Sequence, residues 1–74
     1  MTKVYMFSYE TMCLDLLNNN VRGEEDIEEV AEEVLGELRL GKIIEVDGSY
    51  VVGSITAFLL KEKYEIECAE ILLI

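Results

Sequence analysis

Carboxylates are the residues of this sequence whose number and spacing are best suited to chemistry. Seven of the ten residues from Glu24 to Glu33 are acidic, and none is basic. On a helix, residues four apart share one face. One row therefore contains Glu25, Glu29, Glu33 and Glu37, and the next contains Glu24, Glu28 and Glu32. Each like-charged pair costs roughly 0.2–0.5 kcal/mol, so interspersed Lys or Arg would have stabilised this face.

A surface of this kind attracts a cationic partner and repels nucleic acid. We therefore predict a basic protein as partner, for example a nucleic-acid-binding protein that the carboxylates block or recruit by resembling phosphates. The predicted partner-binding residues are Glu25, Glu28, Glu29, Glu32, Glu33 and Glu37. The alternative is that the acidic face only keeps a small protein in solution.

A lower-ranked alternative is that neighbouring carboxylates gather a divalent cation such as Ca²⁺, which accepts several oxygen ligands. Asp47-Gly48 does not belong to an EF-hand loop. Carboxylates along one straight helix face also do not converge on a point. The sequence therefore predicts no metal ligands, and we expect no cofactor.

Catalytic constellations are missing from the sequence. It contains no His, and neither Cys13 nor Cys68 has a neighbour in sequence that would activate a thiol. Glu65 and Glu67 have the spacing of residues on the solvent-exposed face of a strand, and we do not interpret them as an acid and base pair. The glycines form no phosphate-binding motif. We predict a protein that is not an enzyme, with two free thiols.

The size and composition of the chain restrict the number of domains and the class of protein. At 74 residues we expect a single small acidic domain over residues 1–74. A hydrophobic fraction of 51% is too high for a disordered chain, despite a net charge of −10. No apolar run reaches the length of about 18 residues that a membrane helix needs, and no signal-peptide layout is present. The expectation is a cytoplasmic protein that does not bind membranes.

The elements that position the carboxylates can be read from hydrophobic periodicity. Lys3 to Ser8 is rich in β-branched and aromatic residues, which predicts a strand. A short helix is predicted around Met12 to Leu17, and Val21 to Gly23 is predicted to connect it to the next element. The long helix is predicted from about Glu24 to Leu40, because apolar residues recur there at helical spacing. Within it, Gly36 is expected to permit close packing against a sheet.

The second half of the chain is predicted to be mostly strand. Asp47-Gly48 predicts a two-residue hairpin turn between Lys42–Val46 and Tyr50–Val52. Ile55 to Leu60 is apolar without a clean period, and we favour a strand over a short helix. Alternation from Tyr64 to Cys68 predicts another strand, with a bulge near Ala69.

These elements predict an α+β fold with two layers. A mostly antiparallel sheet of about four strands, in β-α-α-β-β-β order, carries one long amphipathic helix and one short helix on one face. The predicted function is a non-enzymatic protein-binding module, an inhibitor or adaptor. The competing prediction is a structural or oligomerising small protein with a solvated acidic face, which self-associates, for example as a homodimer, through Ile71, Leu72, Leu73 and Ile74.

Overall fold

The computed structural model describes residues 2–19, 26–41 and 43–73, and it shows an α+β chain. Its helices and strands, in chain order, are β1 (Thr2–Ser8), α1 (Tyr9–Asn19), α2 (Ile27–Arg39), β2 (Ile44–Val46), β3 (Ser49–Val52), α3 (Ser54–Tyr64) and β4 (Ala69–Leu73). The prediction of an α+β fold with four strands is confirmed, and the order of elements through β3 agrees with it.

The sheet is fully antiparallel, with strand order β2-β3-β1-β4. The predicted hairpin is present between β2 and β3, where Asp47 and Gly48 take the positive φ values of 47° and 78° that the turn requires. Tyr9, the first residue of α1, donates its backbone N–H to the Gly48 carbonyl over 2.9 Å. This bond holds the hairpin turn against the point where β1 passes into α1.

Helix α2 begins at Ile27, because Asp26 is its N-cap and accepts a hydrogen bond of 2.9 Å from the backbone of Glu28. The predicted start at Glu24 is therefore too early. The connection at 21–23, both Glu24 and Glu25, and Lys42 lie outside the described residues. Gly36 is exposed, and a Cβ added to it would meet nothing within 4 Å. The expectation that it permits close packing is wrong.

The prediction of a strand over Ile55–Leu60 is also wrong, because this segment lies within α3. Helix α3 includes good helix formers such as Ala57, Leu60 and Lys61, and the short apolar run within it has no period that separates helix from strand. The helix begins after Gly53, whose carbonyl accepts from the N–H of Ala57 over 3.0 Å. It carries Lys61 and Lys63 in its last turn, where the helix dipole favours cations.

The predicted strand from Tyr64 to Cys68 is absent as well, since residues 65–68 belong to no helix or strand. Tyr64 ends α3, and Glu65 follows it in the left-handed region at φ 57°. The alternation in burial nevertheless holds, because Tyr64 and Ile66 are buried while Glu65 and Glu67 are exposed. No bulge is needed at Ala69, because β4 starts there.

The buried side chains of the described residues form one cluster. From the sheet it takes Phe7, Tyr50 and Val52, and Phe7 and Tyr50 are partners across β1 and β3 with ring centroids 5.2 Å apart. All three lie on one face, because directly opposed residues and alternate residues of a strand share a face. The helices contribute most of the rest: Met12, Leu16, Val30, Ala31, Val34, Leu35, Ala57, Leu60 and Tyr64.

The other face of the sheet contributes nothing to this cluster. We call it the open sheet face and define it by its six larger apolar residues, which are Val4, Met6, Ile44, Val46, Val51 and Ile71.

Candidate functional site

Helix α2 presents a continuous group of carboxylates on the side opposite its buried stripe. The stripe consists of Val30, Ala31, Val34 and Leu35, each at most 1% exposed. The intervening residues must then point outward, because a helix turns about 100° per residue. Asp26, Glu28, Glu29, Glu32 and Glu33 border one shallow depression on the surface. We call these five residues the acidic face.

The start of α2 explains part of this arrangement. Asp26 caps the helix, and Glu28 and Glu29 lie in its first turn, where the positive end of the helix dipole favours carboxylates. The dipole effect falls off beyond the first turn, so it does not account for Glu32 and Glu33.

Glu32 also lies near the one cation of α2. Arg39, in the last turn, approaches Glu32 with Nη1 at 3.9 Å from Oε2, but its main partner is Glu45 on β2. Arg39 donates to Glu45 at 2.8 Å from Nη2 and at 3.3 Å from Nε. The same guanidinium holds the pKa of Glu45 below its ordinary value. The charge of Arg39 is therefore directed mainly at the hairpin, away from the acidic face.

Glu37 differs from the other predicted site residues. Its Oε2 accepts a hydrogen bond of 3.1 Å from the hydroxyl of Tyr64 and lies 3.4 Å from Lys63 Nζ. Sequence spacing places Glu37 in a carboxylate row, whereas the tertiary structure turns it toward the end of α3. Of the six predicted partner-binding residues, the structure groups Glu28, Glu29, Glu32 and Glu33 together. Glu37 contacts Tyr64 and Lys63 instead, and Glu25 lies outside the described residues.

The hydrogen bond from Tyr64 to Glu37 lies at the rim of an apolar cleft of about 350 Å³ between α2 and α3. Leu38, Ile43, Leu59 and Leu60 line it. Its two charged residues, Glu37 and Lys63, are paired with each other. The rest of the lining offers mainly apolar contact.

Both thiols are free and partly buried. Burial raises the pKa of Cys13, an effect that Glu28 and Glu32 reinforce and that a hydrogen bond with Tyr9 opposes. Burial likewise raises the pKa of Cys68, and Asp15 adds to the increase. Both shifts reduce the thiolate fraction at neutral pH, which is the reverse of what a nucleophilic cysteine needs.

Within residues 2–19, 26–41 and 43–73, no group of three or more His, Cys, Asp or Glu side chains is placed to hold a metal ion. No helix among these same residues has the length and apolar character needed to cross a membrane.

In the predicted self-association run, Ile71 and Leu72 lie on opposite faces of β4. Ile71 pairs with Val4 and lies on the open sheet face. Leu72 pairs with Lys3, lies on the opposite face of the same edge strand and is 53% exposed. The side chains of Leu73 and Ile74 are outside the described part of the chain.

The open sheet face is a candidate surface that the sequence reasoning missed. Ile44 and Val46 are 61% and 57% exposed, and Met6 is 36% exposed. A sequence signal for it exists, because the charged residues of the strands alternate with the residues of this face and therefore lie on the opposite face. These charged residues are Lys3, Glu45 and Glu70. That signal becomes visible only when the register between strands is known.

Comparisons of this chain with protein-family models, with curated proteins and with solved structures gave no significant match. Its function is therefore argued from its own surfaces.

Proposed function

We propose that this chain is a small non-enzymatic protein-binding module, an inhibitor or adaptor, that presents the acidic face of α2 to a basic protein. The observation that carries the proposal is the grouping of Asp26, Glu28, Glu29, Glu32 and Glu33 around one depression. A basic protein that binds nucleic acid is the partner whose chemistry fits best.

The density of charge supports this choice of partner. Residues 26–33 span about 10 Å of helix axis and carry five carboxylates, which is roughly one negative charge per 2 Å. Duplex DNA carries one negative charge per about 1.7 Å of axis. A protein groove lined with Lys and Arg for a phosphate backbone therefore meets a similar charge density on this helix. The net charge of −10 adds long-range attraction to the same class of partner.

The rigidity of the face also supports the proposal. The carboxylates project from a helix that is fixed by a capped N-terminus and by a fully buried stripe. A preorganised array loses less conformational freedom on binding than carboxylates on a loop would.

The test is the capture of Lys- and Arg-rich nucleic-acid-binding proteins from an extract by the immobilised chain. The acidic-face variant replaces Glu29, Glu32 and Glu33 with Lys. The matched control replaces Glu10, Glu62 and Glu65 with Lys, because these are exposed and lie outside the acidic face. Both variants change the net charge equally, from −10 to −4.

We expect the acidic-face variant to lose capture and the control to retain it. Added duplex DNA should compete with the wild-type chain for the captured proteins, and capture should weaken with salt. Equal capture by both variants would contradict the proposal, because net charge alone would then explain binding.

A further inference from the structure

The open sheet face is free of charge in a chain that is 30% charged. Its six defining side chains are apolar, and Thr2, Ser8, Ser49 and Ala69, which share the face by register, are uncharged. The charged side chains of the four strands, Lys3, Glu45 and Glu70, all lie on the face that carries the helices. Exposed apolar side chains scattered singly need no explanation, but a contiguous uncharged patch across a whole sheet does.

The patch is large for a protein of this size. Four strands at about 4.8 Å spacing and about five residues of length give a footprint of roughly 19 by 17 Å, or about 300 Å². Apolar patches of this size on monomers are often functional.

We propose that the open sheet face binds a second copy of this chain, so that the two sheets pack face to face in a two-fold dimer. Such an interface is self-complementary, since each copy contributes the same patch. Two sheets pack in this way at about 10 Å with their apolar side chains interdigitated, which suits the Val, Ile and Met residues found here.

The distribution of charge selects a second copy over a charged partner. The strands offer no charged side chain on this face to a basic or an acidic protein, and Asp15 and Glu67 lie at its border. An identical uncharged patch desolvates no charge. Two copies that each carry a net charge of −10 repel one another at most other contact surfaces. In the face-to-face dimer the helix layers lie outermost, with α2 of each copy roughly 30 Å apart if each layer adds about 10 Å. That distance exceeds the Debye length of about 8 Å at physiological ionic strength.

The size of the patch predicts a weak dimer. Two footprints of about 300 Å² each bury less than the roughly 1,200 Å² of a standard stable interface. We therefore expect a transient dimer, with monomer and dimer both present between about 1 μM and about 1 mM. The acidic face stays exposed on the outside of each copy, so this inference does not depend on the proposed function.

The test is sedimentation velocity on the whole chain from about 1 μM to about 1 mM, the range in which both species are expected. The sheet variant carries Ile44→Glu and Val46→Glu. The matched control carries Ile55→Glu and Phe58→Glu on the exposed side of α3. The replaced residues are all exposed, at 61% and 57% in the sheet and 76% and 62% in the helix, and each variant gains two negative charges.

We expect the wild-type chain and the α3 control to shift from monomer to dimer with concentration. The sheet variant should raise the dissociation constant by a factor of roughly 100, because each dimer would bury four unpaired carboxylates. Circular dichroism verifies that both variants keep the fold.

A wild-type chain that stays monomeric up to about 1 mM overturns the proposal, whatever else covers this face. Dimerisation that the α3 variant abolishes and the sheet variant spares also overturns it, since the interface would then be the exposed side of α3. Wild-type assembly beyond a dimer contradicts the closed two-fold arrangement.

Discussion

The hydroxyl of Tyr64 donates a hydrogen bond of 3.1 Å to Oε2 of Glu37, which joins the last residue of α3 to the C-terminal part of α2. Tyr64 is 8% exposed, so the bond is shielded from solvent on one side. The bond removes Glu37 from the group of outward carboxylates and gives it a structural role. The carboxylates of α2 therefore divide into the acidic face and one residue that is hydrogen-bonded to α3.

This relationship predicts energetic coupling between the two side chains. Tyr64→Phe should lower the free energy of unfolding by about 1 kcal/mol, because it removes one partly buried hydrogen bond without creating a large cavity. A double-mutant cycle with Glu37→Ala, measured by urea unfolding, should give a coupling energy of about 0.5–1.5 kcal/mol. Additive effects of the two substitutions would show that the bond contributes nothing to stability.

The N-cap of α2 is the basis of a second prediction. Asp26→Ala removes the acceptor for the N–H of Glu28 and should destabilise the protein by about 1 kcal/mol. Asp26→Asn is the matched control, since it keeps an oxygen acceptor and loses only the favourable charge at the helix N-terminus. We expect the urea midpoint to fall clearly for the Ala variant and only slightly for the Asn variant. Equal losses would mean that the charge of Asp26 matters and its capping bond does not.

Two glycines should respond to alanine with opposite signs. Gly48 has a φ of 78°, so Gly48→Ala strains the hairpin turn and should cost about 1 kcal/mol. Gly36 lies in α2 with open space around the added Cβ, so Gly36→Ala should stabilise by up to about 1 kcal/mol. Thermal unfolding of both variants tests the pair. A loss of stability in Gly36→Ala would mean that this helix position makes a contact absent from the structure.

The thiols should react slowly in the folded protein. Burial raises the pKa of both Cys13 and Cys68, so at about pH 8 each has a smaller thiolate fraction than an ordinary cysteine with a pKa of about 8.5. Labelling with a thiol-specific reagent should be several-fold slower than in the urea-unfolded chain at the same pH, and it should accelerate as pH rises toward the raised values. Single Cys13→Ser and Cys68→Ser variants show the labelling rate of each remaining thiol separately. Labelling at the unfolded rate would contradict the raised pKa values.

Several features were predictable because they depend on neighbours in sequence. The run from Val4 to Phe7 predicts a strand, Asp47-Gly48 predicts a tight turn, and the spacing of Val30 with Val34 predicts one buried helix stripe. In each case the short-range preference and the hydrophobic pattern favour the same local structure, and the tertiary packing is compatible with it. The outward grouping of Glu28, Glu29, Glu32 and Glu33 follows from that same stripe.

The features that were missed depend on residues far apart in sequence. The run from Ile55 to Leu60 has an apolar pattern that is compatible with strand and helix, and the packing of Ala57 and Leu60 in the core favours the helix. Glu37 is placed with the other carboxylates by spacing, but Tyr64 approaches it from 27 residues away. The open sheet face requires the register of all four strands, because each strand alone shows only alternation.

The sequence by itself determined that this chain is acidic and apolar enough to fold, that it contains a helix with one buried apolar stripe, and that carboxylates cover the outside of that helix. The tertiary structure alone decided which carboxylate is engaged by α3 and which face of the sheet is left without a helix. The physical reason is that periodicity fixes the direction of a side chain relative to its own element, whereas burial and charge pairing depend on which elements come to lie against it.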